Sequence, residues 1–120
     1  MLYQRNRAGE LAPMNEPNWH ARRFVGNELL DIMNLLRNLI QQKGFNQNQM
    51  EFTASNLVGE HQIEWDENSI LQAILIRYPI SQSTQSTVLG RILFQTLLDD
   101  SNEYEFIKGR NAYRAKYRKL

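Results

Sequence analysis

From Lys108 onward the chain carries six Lys or Arg residues (Lys108, Arg110, Arg114, Lys116, Arg118 and Lys119) and no acid. The chemistry open to such a run is the neutralisation of phosphate, by ion pairing and charge-assisted hydrogen bonds. Arg114, Lys116 and Arg118 recur at every second position, so a strand there would set them in one row. Tyr113 and Tyr117 fall between them, which suits one tyrosine to the core and the other to a sugar or phosphate contact. Asn111 sits in the same basic turn. Upstream lies a second group: Ser83, Thr84, Gln85, Ser86 and Thr87, then Arg91 and Gln95. Gln pairs bidentately with adenine, Arg with guanine, and Ser or Thr with bases or phosphates. Placed at the start of a helix, these side chains are joined by backbone N–H groups that favour phosphate.

The positive charge is local, because 14 Lys and Arg are set against 13 Asp and Glu in 120 residues, a net charge of +1. Catalytic patterns are missing. His20 and His61, the only histidines, lie far apart, and Glu60, His61 and Glu64 read as a surface pairing. Asp99-Asp100 reads as a solvated pair ending a helix, since no third carboxylate stands at a fixed offset for a metal. Gly90 and Gly109 are isolated, so there is no phosphate loop, and no nucleophile elbow occurs. No enzyme activity, cofactor or metal is expected. The absence of cysteine excludes a disulfide framework, a cysteine-based zinc finger and a thiol nucleophile, and suits a reducing compartment. With no signal sequence and no apolar run of membrane length, the expected place is the cytoplasm (or the nucleus in a eukaryotic or viral setting), without a membrane partner.

The length suits one domain with one modest core. Residues 1–23 read as a flexible arm holding Pro13, Pro17 and the cations Arg5, Arg7, Arg22 and Arg23, with Trp19 packed. Residues 24–43 carry apolar side chains at three- and four-residue spacings and predict a long helix that Gly44 stops. Its apolar arc is wide, so it is either sandwiched in the core or forms a homodimer seam through Leu29, Met33, Leu36 and Ile40. On the dimer reading, Leu36→Asp yields a folded monomer. Thr53 caps a short helix from Ala54 to His61, and 62–65 is extended. Asp66 caps a helix over 67–78 that Pro79 ends. Thr84, Ser86 or Thr87 caps the next helix, 84–98. After the break at Asp99 to Asn102, alternation over 103–107 and 111–117, around the turn Lys108 to Asn111, predicts a basic hairpin.

Thr87-Val88-Leu89-Gly90-Arg91-Ile92-Leu93, the acidic break and Lys108-Gly109-Arg110-Asn111-Ala112-Tyr113-Arg114 together resemble the recognition helix and wing of winged helix-turn-helix domains. The likeness is to RFX-like domains and to the C-terminal domains of phage or viral primase-helicases, and it covers roughly residues 66–117. It implies that helix 84–98 enters a groove of duplex DNA and that the wing, 104–118, contacts backbone or minor groove. Asp99, Asp100, Glu103 and Glu105 depart from the pattern by placing negative charge near that interface, and helix 24–43 is an addition to it. The fold expected over 24–120 is mainly α with a small β-hairpin, a winged helix-turn-helix. The function expected is DNA binding in transcription regulation or in replication, plasmid or phage maintenance. The alternative is a module that binds a protein partner.

Overall fold

The computed structural model describes residues 1–15, 23–59, 65, 67–109 and 112–120. Trp19, His20, Arg22, Glu60, His61, Glu64, Asp66, Arg110 and Asn111 lie outside the described residues, as does the segment 62–64 expected to be extended. The first two strands, β1 (Leu2–Arg5) and β2 (Leu11–Pro13), form a hairpin. Asn6 sets its turn: the side-chain oxygen accepts from the backbone N–H of Ala8 and of Glu10, each at 3.0 Å. Gly9 closes the turn at φ +80°, a left-handed conformation that glycine takes without a Cβ clash. β1 then pairs in parallel with β3 (Tyr104–Lys108), and β3 pairs antiparallel with β4 (Lys116–Lys119). The result is one four-stranded mixed sheet in the order β2-β1-β3-β4.

The chain is therefore a mixed α/β fold, not the mainly α winged helix-turn-helix with a small hairpin expected from its sequence. Residues 1–15, expected within a flexible arm, supply two of the four strands. The cause of the difference is non-local pairing. β1 is four residues long with only Leu2 buried, so it carries no period of its own; its partner is at the other end of the chain. The second strand of the basic hairpin is also shorter than expected. A 3₁₀ turn, Ala112–Arg114, occupies the start of the segment, and β4 begins only at Lys116.

The helices are closer to expectation. In α1 (Glu28–Gln42) the buried residues are Ile32, Met33, Leu36 and Ile40. Met33, Leu36 and Ile40 thus belong to the chain's own core, where α1 packs on α4 (Gln82–Asp99), and with half-buried Leu29 they do not form a free seam for a second copy. The start of α1 is held by Glu28, which accepts from Val25 N at 2.9 Å and binds the Arg77 guanidinium through both oxygens at 2.9 and 3.0 Å. That ion pair ties α1 to the end of α3 (Gln72–Arg77), which is shorter than the expected 67–78. Thr53 caps α2 (Ala54–Val58) in a capping box with Asn56. Ser81 caps α4 by accepting from Thr84 N at 3.1 Å, so the helix starts before the expected caps Thr84, Ser86 and Thr87.

Core aromatics join the layers. Phe94 of α4 meets Phe106 of β3 edge-on at 6.1 Å, Phe106 meets Tyr117 of β4 at 5.7 Å, and Phe52 sits 6.0 Å from Tyr117 and 6.1 Å from Tyr104. Phe52 also extends the ladder, exchanging two 2.9 Å backbone hydrogen bonds with Tyr117.

Two measurements follow from this packing. Leu36 is fully buried, so Leu36→Ala should cost about 2–5 kcal/mol in urea unfolding, and Leu36→Asp should abolish folding rather than give a folded monomer. Burial pushes the Tyr104 hydroxyl from its ordinary 10.0 up to about 12 and raises Tyr117 as well. The fold favours the neutral phenol, so this stability is whole below pH 10.0 and lost as pH rises toward about 12. Urea midpoints should fall across that window, and less steeply in Tyr104→Phe.

Candidate nucleic-acid interface

The strand directions sort the charges. β1 and β3 run together from one end of the sheet to the other, and β4 runs back beside β3. At the end where β3 finishes, Lys108 is the register partner of Lys116, and exposed Arg114 lies just before Lys116 in the 3₁₀ turn. β1 finishes at the same end with Arg5, and exposed Arg7 follows in the hairpin turn. At the opposite end lie Asp99, Asp100 and Glu103, where α4 ends and β3 begins. The two ends are about 13 Å apart along β3, given a rise of roughly 3.3 Å per residue. That exceeds the Debye length of about 8 Å at physiological salt, so those three acids do not cancel Lys108, Arg114 and Lys116, whereas Glu103 stands only about 7 Å along β3 from Glu105 and its two arginines. Among the described residues, Arg7, Lys108, Arg114 and Lys116 form no ion pair with an acid.

Glu105 is the exception among the acids. It is only 4% exposed, although it lies on the sheet face opposite the aromatic core. Its carboxylate is held between two guanidiniums: Arg5 Nε donates to Oε2 at 3.1 Å, and Arg118 Nη2 donates to Oε1 at 2.9 Å. Two positive charges thus meet one negative charge, and the group keeps a surplus of +1. Lys116 lies two residues before Arg118 and shares its face. Of the row expected from Arg114, Lys116 and Arg118, the last two remain, because Arg114 belongs to the 3₁₀ turn. The tyrosines both turn inward. Tyr113 donates to Gly59 O at 2.8 Å and packs on Trp65, and Tyr117 is in the core.

The start of α4 differs more from expectation. At 100° per residue, Gln85, Val88, Leu89, Gly90, Ile92, Leu93, Phe94, Thr96 and Leu97 bury an arc of about 240°. The strip left over holds the polar Thr84, Thr87, Arg91 and Gln95 with Leu98 among them, all only half-exposed. Gln85 is itself buried, and its Nε2 donates to Tyr78 O at 2.9 Å, which fixes the end of α3 to α4. It is not placed to read a base. Thr84 is engaged with Ser81 at 3.0 Å; Ser83 is exposed and Ser86 half-buried. Gln95 donates to both Asp99 oxygens, at 3.0 and 2.9 Å, beside a cleft of about 300 Å³ at the acidic end. Arg91 lies near Tyr78, whose ring also carries the Arg23 guanidinium at 4.9 Å from its centre. The structure therefore brings together Lys108, Arg114, Lys116 and Arg118 of the expected residues, and separates Gln85 and Gln95 from them.

Two residues of this region escape a sequence reading, Arg5 and Tyr3. Tyr3 is the register partner of Glu105, on the same face, and its hydroxyl donates to Glu103 Oε1 at 3.0 Å. The one available signal was the hairpin turn Asn6-Arg7-Ala8-Gly9, which marks Leu2 to Arg5 as a strand. Among the described residues no three His, Asp or Glu side chains cluster to hold a metal, and no helix is long and apolar enough to cross a membrane. No family model, no characterised protein and no solved structure matches the chain.

Gln85→Ala should act on stability and not on ligand preference. Loss of the buried amide leaves Tyr78 O without that donor and should cost about 1–3 kcal/mol in urea unfolding.

Proposed function

We propose that this protein binds nucleic acid through the basic end of its sheet. The observation that supports this reading is the charge sorting: among the described residues Lys108, Arg114 and Lys116 form no ion pair with an acid, and with Arg7 and the end of β1 beside them they lie at the end away from Asp99, Asp100 and Glu103, while Arg118 stands further back along the sheet opposite Glu105. Cations grouped this way supply phosphate contacts, and phosphate contacts carry most of the affinity of a non-specific complex. The reading keeps the ligand class expected from the sequence and changes the element that meets it, since the sheet and its turns supply the charge.

A protein partner is the second reading. Val25, Ile76 and Ile80 are 55%, 63% and 72% exposed and all lie within three residues of the Glu28–Arg77 pair. Such a surface binds with little response to salt, whereas phosphate neutralisation releases counterions.

A titration with labelled DNA at two salt concentrations separates the two. Three phosphate contacts predict a log–log salt slope of about −3 on duplex or about −2 on single strands. Arg114→Ala combined with Lys116→Ala should reduce that slope by about two contacts and weaken binding on every sequence alike. No binding at low salt, or a double variant that binds like wild type, would sink the proposal.

A further inference from the structure

We propose that the ligand is a single strand of nucleic acid lying across the open face of the sheet, with a phosphate on the Arg5–Glu105–Arg118 group and a base on Tyr3. The inference rests on the nucleic-acid reading above and adds the form of the ligand and its place. Three features of the face support it. Glu105 needs one guanidinium for neutrality and holds two, from strands at opposite ends of the chain. Both guanidiniums are reachable, since the side chains of Arg5 and Arg118 are 49% and 36% exposed while that of Glu105 is 5% exposed. Arg5 is further fixed by a 2.8 Å hydrogen bond from Nη1 to Gly9 O. Their remaining N–H donors, Arg5 Nη2 and Arg118 Nε and Nη1, make no hydrogen bond among the described residues. A phosphate arriving there meets charge and donors already ordered, so little side-chain entropy is left to lose.

The second feature is Tyr3, the neighbour of Glu105 in the parallel register, whose ring is anchored by the hydroxyl bond to Glu103. An aromatic beside a fixed cation is the combination that holds an unpaired base and its phosphate, because every base offers a face for stacking. The third feature decides between single strand and duplex. A four-stranded face is about 14 Å across, from three strand spacings of roughly 4.8 Å. The major groove, about 12 Å wide, admits a helix or a two-stranded ribbon and not such a sheet. α4 is buried over most of its circumference, and the 3₁₀ turn that follows β3 packs back onto α4 instead of projecting. A splayed strand needs no projecting element. Charge favours it too: Lys116 and Lys108 extend the cationic surface from Arg118 toward the basic end.

The test is fluorescence anisotropy of the full chain with a labelled oligothymidylate of about 12 nucleotides, against a duplex of the same length. Wild type should bind the single strand at least about tenfold more tightly. Tyr3→Leu should weaken that binding about tenfold, while Tyr3→Phe, which keeps the stacking ring and loses only its tether to Glu103, should lose much less. Arg5→Gln should lower the salt slope on the oligothymidylate by about 0.7. Duplex binding equal to or tighter than single-strand binding overturns this inference and leaves the proposed function standing. Binding of neither overturns both. A folded Tyr3→Leu that binds like wild type removes the sheet face and leaves only the basic end. Should Tyr3→Leu not fold, an unchanged salt slope in Arg5→Gln is the result that rejects the assignment.

Discussion

A carboxylate withdrawn from water has to be matched by positive charge, and in this protein that requirement falls on Glu105. Its two oxygens are taken by Arg5 of β1 and Arg118 of β4, so the ion pairs run across three adjacent strands. Coulombic attraction alone does not stabilise such a group greatly, because desolvation offsets much of it. Its effect is one of selection. A one-residue slip of β1 or β4 would turn an arginine into the aromatic core and leave Glu105 short of a partner. The register that buries Leu2, Tyr104 and Tyr117 on one side is therefore the register that collects cations on the other. Packing and surface charge are two consequences of a single alignment.

The sequence is legible where the signals are local. The apolar period of α1, the cap at Thr53, the stop before Pro79 and the acidic break after α4 all leave marks within a few residues, and the structure has elements at each of those places. The basic segment is legible as a charge cluster for the same reason. What the sequence conceals is pairing at a distance. Leu2 to Arg5 offers one buried residue and no repeat, so nothing in it announces a central sheet position beside β3. The same blindness affects the site. Arg5 and Tyr3 are 100 residues from their partners Glu105 and Glu103, and no local pattern links them.

Gln85 shows the opposite error, in which a local pattern is too persuasive. Short polar residues leading an apolar helix suggest a surface that reads bases. Here one of them turns inward and donates to Tyr78 O, where it serves as the junction between α3 and α4. The wide apolar arc of α4 was the better guide. A helix with about two thirds of its circumference buried is the spine of the domain, with neighbours on several sides, and has little face left for a groove. The arc of α1 is narrower than its sequence suggests: Ile32, Met33, Leu36 and Ile40 pack inward within about 100° of the helix, and Leu30 stays 52% exposed.

The parallel pairing of β1 with β3 also bears on how the molecule comes into being. Closing a loop of this length costs entropy that is recovered only once Leu2 and Tyr104 meet in the core, and contacts so distant in sequence slow folding. A chain emerging N-terminus first exposes β1 and β2 long before β3 is made. Until that closure the arginines exist only as scattered charges, and their arrangement around Glu105 exists in no shorter segment. A strand of nucleic acid held by that arrangement would bind the native chain and not the open one, so it would act as a latch on a contact made across most of the chain.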